Sequence, residues 1–199
     1  RASKQAFAGH LKKRYGTVEA LNVAWETDLS SFDDLLSPLR RDSWPEAAQK
    51  DFEVFHNVLV ERYGRVISDA LRSEDPHHLN LGMRYSHASE KTLCGPLNYF
   101  DVFSFNGYGS EPATAAAQMA KGANLPMVVG EWHIGAKESG LDSWGLYHTG
   151  TQSQRAEALR YYLEQSTQEP HLTGVHYFEY SDQPYLGRFD GECYQIGLI

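Results

Sequence analysis

The sequence predicts an α/β protein in which helices cover a parallel sheet. Four short runs rich in apolar residues predict strands at 78–84, 100–106, 126–131 and 174–180. Apolar runs, rather than strict alternation of apolar and polar residues, are typical of strands buried on both faces. Helical patterns separate these runs, so we expect four adjacent parallel strands in chain order.

The first part of the chain is predicted to be helical. Apolar side chains at helical spacing indicate one helix over 3–15, and a second short helix follows Gly16. Ser43 and Glu46 have the spacing of a capping box, which predicts a long helix over about 44–72.

Two further helices are predicted between the strands. Pro112 begins an Ala-rich helix that extends to about 121. Thr151 and Gln154 form a second capping box, and the helix that they open extends to about Ser166.

Composition excludes several classes of partner. The 199 residues contain 18 Lys and Arg against 26 Asp and Glu, a net charge of −8 that disfavours binding to phosphate backbones. No apolar run approaches the ~20 residues of a membrane span. Cys94 and Cys193 could form one disulfide, and no spacing of His, Cys and Asp matches a metal site. We therefore expect no nucleic acid, membrane, metal or cofactor.

Polar residues follow the predicted strands at their carboxyl ends, where parallel α/β sheets bind their ligands. The residues at these ends include Arg84, Asn106, Tyr108, Glu131, Trp132, His133, Glu179, Asp182 and Gln183. This concentration of polar side chains at one edge predicts a functional site there.

Glu131 is the central candidate because it comes directly after an apolar strand. A carboxylate in that position needs water in a cleft or hydrogen-bond donors around it. A helix cap or an ion pair with Arg84 would also satisfy it, and these alternatives stay open. The adjacent Trp132 favours a sugar site, where a carboxylate acts at the anomeric carbon and an aromatic ring packs against the sugar.

Several segments resemble the β-agarases of glycoside hydrolase family 50, in the same order along the chain. They are residues 101–108, 130–135, 154–156, 174–178 and 182–192, and the last of them, which contains DQPYLGRFDGE, is the most specific. Residues 11–27 also resemble the related family 42 β-galactosidases. Two positions depart from the agarase pattern: Tyr177 stands where Trp is usual, and Cys193 where Asn is usual.

The resemblance implies a (β/α)8 barrel and a retaining β-glycosidase that acts on a galactose-containing polysaccharide or oligosaccharide. Glu131 would be the nucleophile at the end of barrel strand seven, and Tyr108, at the end of strand six, would hydrogen-bond it. The residues expected to bind substrate are Arg84, Asn106, Trp132, His133, His176, Phe178, Asp182 and Gln183. Secretion or a periplasmic location is implied by the resemblance alone.

The acid/base residue of this clan is a Glu that ends strand four, usually as Asn-Glu, and no such dipeptide occurs in the chain. We therefore expect one partial catalytic domain over 1–199, the second half of a barrel. Residues 1–76 would follow strand four, and 77–199 would supply strands five to eight. The missing half would come from upstream sequence, or from a second copy of the chain.

Three other carboxylates are weaker candidates for catalysis. Glu179 is expected to point away from His176, toward a helix-facing ion pair or solvent. Asp190 and Glu192 are expected to fix their loop by accepting hydrogen bonds from backbone amides or Arg188. The alternative to a glycosidase is a half-barrel without hydrolase activity that binds carbohydrate or associates with itself.

Overall fold

The computed structural model describes residues 2–86, 96–112, 124–140 and 142–199. Within them, the α-helices are α1 Ala2–Tyr15, α2 Val18–Trp25, α3 Glu46–Glu74 and α4 Gln152–Thr167. The strands are β1 Phe103–Asn106, β2 Met127–Trp132, β3 Gly135–Ala136, β4 His148–Thr149 and β5 Leu172–Tyr177. Short 3₁₀ helices cover Phe32–Leu36, Pro96–Tyr99 and Lys137–Ser139.

The main sheet has three parallel strands in the order β1-β2-β5. This confirms the predicted direction and order for three of the four expected strands. β5 ends at Tyr177, three residues earlier than predicted, and the peptide bond between Phe178 and Glu179 is cis. The much shorter β3 and β4 form a separate parallel pair.

The strand predicted at 78–84 is wrong, because this segment is not a regular strand. Asn80 Oδ1 accepts the Gly82 N–H at 2.9 Å, and Gly82 has a φ of 68°. The chain therefore turns at a point where pairing with a neighbouring strand would need extended backbone. The segment still lies beside β1, since Tyr85 forms a parallel bridge with Phe105.

The capping box predicted at Ser43 is also wrong. Helix α3 begins at Glu46, and its N-cap is Pro45, which makes no side-chain capping bond. The residue before a proline is disfavoured in helical conformation, so Trp44 cannot serve as the first helical residue of that box. The capping box at Thr151 is confirmed, with both reciprocal hydrogen bonds to Gln154 present.

The remaining helix predictions divide into two groups. The helices at 3–15 and after Gly16 are confirmed as α1 and α2. The helix predicted at 112–121 lies almost entirely outside the described residues, as does Cys94. Cys193 is a free thiol.

The sheet core lies between the sheet and α4. Its buried members are Leu97, Phe103, Phe105, Met127, Val129, Trp132, Ile134 and Tyr162. Since Phe103, Phe105 and Val129 face α4, the alternate residues of β1 and β2 face the opposite side. That opposite side carries the candidate site.

The N-terminal helices have a separate core around a buried carboxylate. Asp51 of α3 accepts hydrogen bonds from Tyr15 Oη at 2.6 Å and Trp25 Nε1 at 2.9 Å. Arg14 Nη1 lies 2.7 Å from the other carboxylate oxygen, so Asp51 ties α1, α2 and α3 together. The apolar side chains of α3 are incompletely covered, and those that are exposed include Phe52, Leu59, Tyr63, Val66 and Leu71. None of the helices in the described ranges combines the length and apolar character needed to cross a bilayer.

Candidate active site

A break in the regular pairing of β2 brings Glu131 to the open face of the sheet. Val129 and Trp132 are both buried in the sheet core, although residues three apart in a regular strand face opposite sides. The register shifts between them on the β5 side, and between Phe105 and Asn106 on the β1 side. Both intervening residues, Gly130 and Glu131, therefore lie away from α4, as in a β-bulge.

Each carboxylate oxygen of Glu131 has its own donor. The Tyr108 hydroxyl donates to Oε1, and Arg84 Nη1 lies 2.7 Å from Oε2. The Glu131 side chain is 14% exposed, whereas the Arg84 side chain is 54% exposed. The expected Tyr108–Glu131 contact is thus present, and so is the ion pair with Arg84 that the sequence left open.

The environment of Tyr108 keeps its hydroxyl protonated. Burial and the hydrogen bond to Glu131 both raise the pKa of Tyr108, and the charge of Glu192 raises it further. The phenol is therefore a hydrogen-bond donor to Glu131 at any pH of interest.

The backbone before Tyr108 is attached to both β2 and α4. Gly107 N–H donates to the Glu131 carbonyl at 2.9 Å. The buried Tyr162 hydroxyl of α4 donates to the Gly107 carbonyl at 2.7 Å, and its ring stacks on Trp132 with centroids 3.8 Å apart and planes 4° from parallel. Sequence analysis missed Tyr162, since nothing in the helical pattern of α4 indicates a contact 55 residues away.

Trp132 and His133, which the resemblance implies line sugar subsites, are both buried side chains in this structure. Trp132 is 2% exposed and packs between Tyr162 and Tyr177. His133 is 1% exposed, and its Nε2 accepts the Leu146 N–H at 2.8 Å. The bulge at residues 130–131 turns Trp132 into the core, which the sequence alone does not reveal.

His133 supports Tyr108 as a neutral ring. Burial lowers its pKa to about 4. Its ring meets the Tyr108 ring edge-on, with centroids 4.7 Å apart and an interplanar angle of 60°. His133 therefore packs against the side of Tyr108 without bringing a charge to the site.

Asn106 and His176 occupy the two strands that flank β2. Asn106 is half-buried and pairs with Glu131 in the register of β1 and β2. Its Oδ1 is buried and has no hydrogen-bond partner within the described part of the chain. His176 is exposed on β5. Phe178, just after β5, donates its N–H to the Trp132 carbonyl at 2.7 Å, and the Arg188 guanidinium lies over its ring.

Asp182 and Gln183 make structural hydrogen bonds with the C-terminal segment. Asp182 Oδ1 accepts the Gly197 N–H at 2.7 Å, and the buried Gln183 accepts the Tyr194 N–H at 2.7 Å. Gln183 Nε2 also donates to Glu192 Oε2 at 3.2 Å. These contacts hold the loop after β5 against the C-terminal segment, and the substrate contacts expected of the two residues stay a prediction.

The acidic residues of that loop have the fixing function predicted for them. Arg188 Nη2 lies 2.6 Å from Asp190 Oδ2 and 2.7 Å from Glu192 Oε2. The charge of Glu192 still reaches Tyr108, whose pKa it raises.

Tyr177 and Arg155 form a second structural network that the sequence did not indicate. Arg155 Nη2 donates to the carbonyls of Ile196 and Gly197 at 2.7 Å and to the Tyr177 hydroxyl at 2.9 Å. Tyr177 donates to the Ile196 carbonyl at 2.7 Å. The departure from Trp at position 177 therefore falls behind the sheet, away from the open face of Glu131.

Across the described ranges, no three His, Cys, Asp or Glu side chains are grouped as a metal site would need.

Comparison with known proteins identifies the family of this chain. The β-galactosidase model of glycoside hydrolase family 42 matches residues 1–169. β-Agarase B of Vibrio sp. (strain JT0107) is 30% identical over 203 residues, which cover 99% of this chain and 21% of the agarase.

Solved structures of agarases share the same fold. An agarase named AgWH50C superposes with a TM-score of 0.90 at 31% identity, over 100% of this chain and 29% of that protein. An exo-β-agarase gives a TM-score of 0.91 at 32% identity, over 99% of this chain and 27% of that protein. The chain thus spans between a fifth and three tenths of these relatives. Its parallel α/β fold is that of glycoside hydrolase domains, and the chain belongs to glycoside hydrolase family 42, whose model matches most of its length.

Proposed function

We propose that this chain is part of the catalytic domain of a retaining β-glycosidase acting on a β-galactosidic polysaccharide or oligosaccharide of the agarose type. The observation that carries the proposal is the pair of donors on Glu131, with Tyr108 on one oxygen and Arg84 on the other. The similarity to proteins named β-agarases supports the choice of substrate class.

Glu131 acts as the nucleophile in this mechanism. One carboxylate oxygen attacks the anomeric carbon, the bond to the leaving oxygen breaks, and a covalent glycosyl-enzyme forms, which water then hydrolyses. The Arg84 guanidinium pairs with one carboxylate oxygen of Glu131, and the protonated Tyr108 fixes the orientation of the other. The unpartnered Oδ1 of Asn106, beside Glu131, suits a hydroxyl group of the sugar.

The acid/base residue comes from outside this chain. Glu192 is a poor candidate because Arg188 and Gln183 already hold it in the loop after β5. We propose that residues 77–199 form strands five to eight of a (β/α)8 barrel and that 1–76 follow strand four. The parallel order β1-β2-β5 and the exposed apolar side chains of α3 support this arrangement, since another part of the barrel would cover them.

The test uses the protein in its full encoded length, with agarose oligosaccharides and an aryl β-galactoside as substrates. We expect Glu131→Gln to lower kcat by about 10⁴–10⁶-fold, as removal of a nucleophile does in other hydrolases. Glu192→Gln is the matched control and should retain hydrolysis. Labelling by a slow-reacting 2-fluoro galactoside, followed by peptide mass analysis, should identify Glu131 as the modified residue. Turnover that survives Glu131→Gln would refute the assignment.

The exposed apolar residues of α3 also favour a second candidate, a half-barrel without hydrolase activity that associates with another copy. The 199-residue chain should then elute as a stable dimer and bind agarose oligosaccharides without cleaving them. Hydrolysis by the full-length protein that Glu131→Gln abolishes would rule this candidate out.

A further inference from the structure

The residue before Glu131 has no side chain, and the space that this leaves is occupied by Arg84. A Cβ placed on Gly130 would lie 2.8 Å from Arg84 Cδ and 3.1 Å from Arg84 Cγ. It would also lie 2.9 Å from Ser104 Oγ on β1. These distances are shorter than the 3.4–4 Å of ordinary van der Waals contact, so the methylene groups of Arg84 rest directly on the backbone of β2.

Backbone conformation does not require glycine here. Gly130 lies inside β2, and its φ is outside the positive range in which glycine is favoured. An alanine would adopt the same backbone without strain. Glycine is therefore needed at this position because a Cβ would clash with neighbouring side chains, not because of its φ.

This space matters because the Arg84–Glu131 ion pair is partly exposed. Ion pairs in contact with solvent contribute little when both long side chains must be ordered to form them. Contact with the backbone at Gly130 restricts Arg84 before it reaches Glu131, which reduces the rotamer entropy lost on pairing. The guanidinium can then stay 2.7 Å from Oε2 although the Arg84 side chain is 54% exposed.

We infer that Gly130 is a positioning residue for the nucleophile: by leaving room for Arg84 against β2, it keeps the guanidinium on Glu131 Oε2. The inference rests on the proposed function of Glu131. It predicts that a single methyl group at position 130 lifts Arg84 from the strand and separates the ion pair, while the fold is retained.

The kinetic test is a double-mutant cycle in the full-length protein. Gly130→Ala should lower kcat for agarose oligosaccharides about tenfold with little change in KM, as expected for loss of a hydrogen bond to a charged group. In the Arg84→Ala background, the same substitution should change kcat by less than about twofold, because the two residues act as one unit. Gly174→Ala is the matched control, since Gly174 also lies in a strand of this sheet and a Cβ there meets nothing within 4 Å.

A crystal structure of the full-length Gly130→Ala protein tests the positioning without reference to activity. We expect Arg84 Nη1 to move beyond 4 Å from Glu131 Oε2, with the strand otherwise unchanged. An ion pair still at 2.7 Å, or an equal loss of kcat in both backgrounds, would overturn the inference. If Glu131→Gln left hydrolysis intact, the proposed function would fail, and the crystal structure would still decide whether Gly130 positions Arg84.

Discussion

The two faces of the β1-β2-β5 sheet are built from different kinds of side chain. The face toward α4 carries large apolar and aromatic residues, among them Phe103, Val129 and Trp132, all nearly inaccessible to solvent. The opposite face carries Asn106 and Glu131, which are half-buried and polar. One face therefore supplies packing, and the other supplies the groups that could act on a ligand.

Contacts on the packed face hold the residues of the open face in position. Tyr108 makes its bond to Glu131 on the open side, but the backbone before it is held by Tyr162 of α4. Tyr162 in turn stacks on Trp132, the residue that follows Glu131. Substitutions on the packed face should therefore lower stability first, and those on the open face should lower activity with the fold intact.

The largest effect is expected from Trp132→Ala, on the packed face. Removal of a buried Trp leaves a cavity and typically costs about 3–5 kcal/mol in the free energy of unfolding. Urea unfolding followed by circular dichroism measures this loss. Tyr185→Ala is a control at a side chain that is 73% exposed, where we expect a change within about 0.5 kcal/mol. A small loss of stability for Trp132→Ala, together with weaker oligosaccharide binding, would show that Trp132 contacts substrate instead.

Features set by neighbouring residues were predictable from the sequence. The capping box of Thr151 and Gln154 depends only on residues within one helical turn, and α4 begins where it indicates. The capping box predicted at Ser43 is absent for an equally local reason. Pro45 keeps the preceding residue out of the helix, a restriction that the spacing of Ser43 and Glu46 does not take into account. The apolar runs of β1, β2 and β5 likewise identified the parallel order.

Features set by distant contacts were not predictable. Strand alternation places Glu131 on the same face as Val129, and only the register shift in β2 separates them. The position of Glu131 at a strand end and the family resemblance are enough to identify it as the candidate nucleophile. The burial of Trp132 depends on the register shift and therefore could not be predicted. Tyr162 contacts Gly107 through tertiary packing, for which the sequence of α4 contains no signal.

The second-largest effect is a pH-dependent loss of stability caused by His133, which packs between the two faces. Its pKa is about 4 in the folded chain and about 6.5 when unfolded, so between these pH values the unfolded chain binds a proton that the native chain does not. Stability should therefore fall on acidification from pH 6.5 to pH 4, by up to about 3 kcal/mol from this group. Unfolding free energies at pH 7, 5.5 and 4.5 measure the slope.

His133→Gln should flatten that slope, because glutamine does not titrate. His176→Gln, at an exposed position on β5, is the matched control, and His133→Gln should flatten the slope more than this control does. Equal slopes for the wild-type chain and His133→Gln would show that His133 is accessible to protons in the native state, which contradicts its burial behind Tyr108.

Tyr108→Phe tests the open face. It removes the hydroxyl that donates to Glu131 and leaves the ring against His133. A hydrogen bond to a charged group contributes about 1.5–3 kcal/mol, so kcat of the full-length protein should fall by roughly 10–150-fold. The midpoint of thermal unfolding should change little, in contrast to Trp132→Ala. If Tyr108→Phe lowered the free energy of unfolding as much as it lowered the activity, the open face would contribute to stability as the packed face does, which contradicts the prediction. Tyr180→Phe, at an exposed tyrosine, controls for the loss of a hydroxyl in general.

The smallest effect is expected from Tyr162→Phe, which acts on both faces at once. It keeps the ring stacked on Trp132 and removes only the hydroxyl that donates to the Gly107 carbonyl. A buried acceptor left without its partner costs about 1–3 kcal/mol in the free energy of unfolding, and the acceptor here is an uncharged carbonyl rather than a carboxylate. The loosened backbone should also lower kcat by a few fold, less than Tyr108→Phe does.

The decisive measurement is the combination of Tyr162→Phe with Tyr108→Phe. If Tyr162 acts on catalysis only by placing the Tyr108 hydroxyl, its effect on kcat should disappear once that hydroxyl is gone, while its effect on unfolding persists. An undiminished effect on kcat in the double variant would show that the α4 contact positions Glu131 by another route, for example through the Gly107 N–H that donates to the Glu131 carbonyl. The packed face would then act on Glu131 through the backbone, and the Tyr108 hydroxyl would be only one of the two contacts that position it.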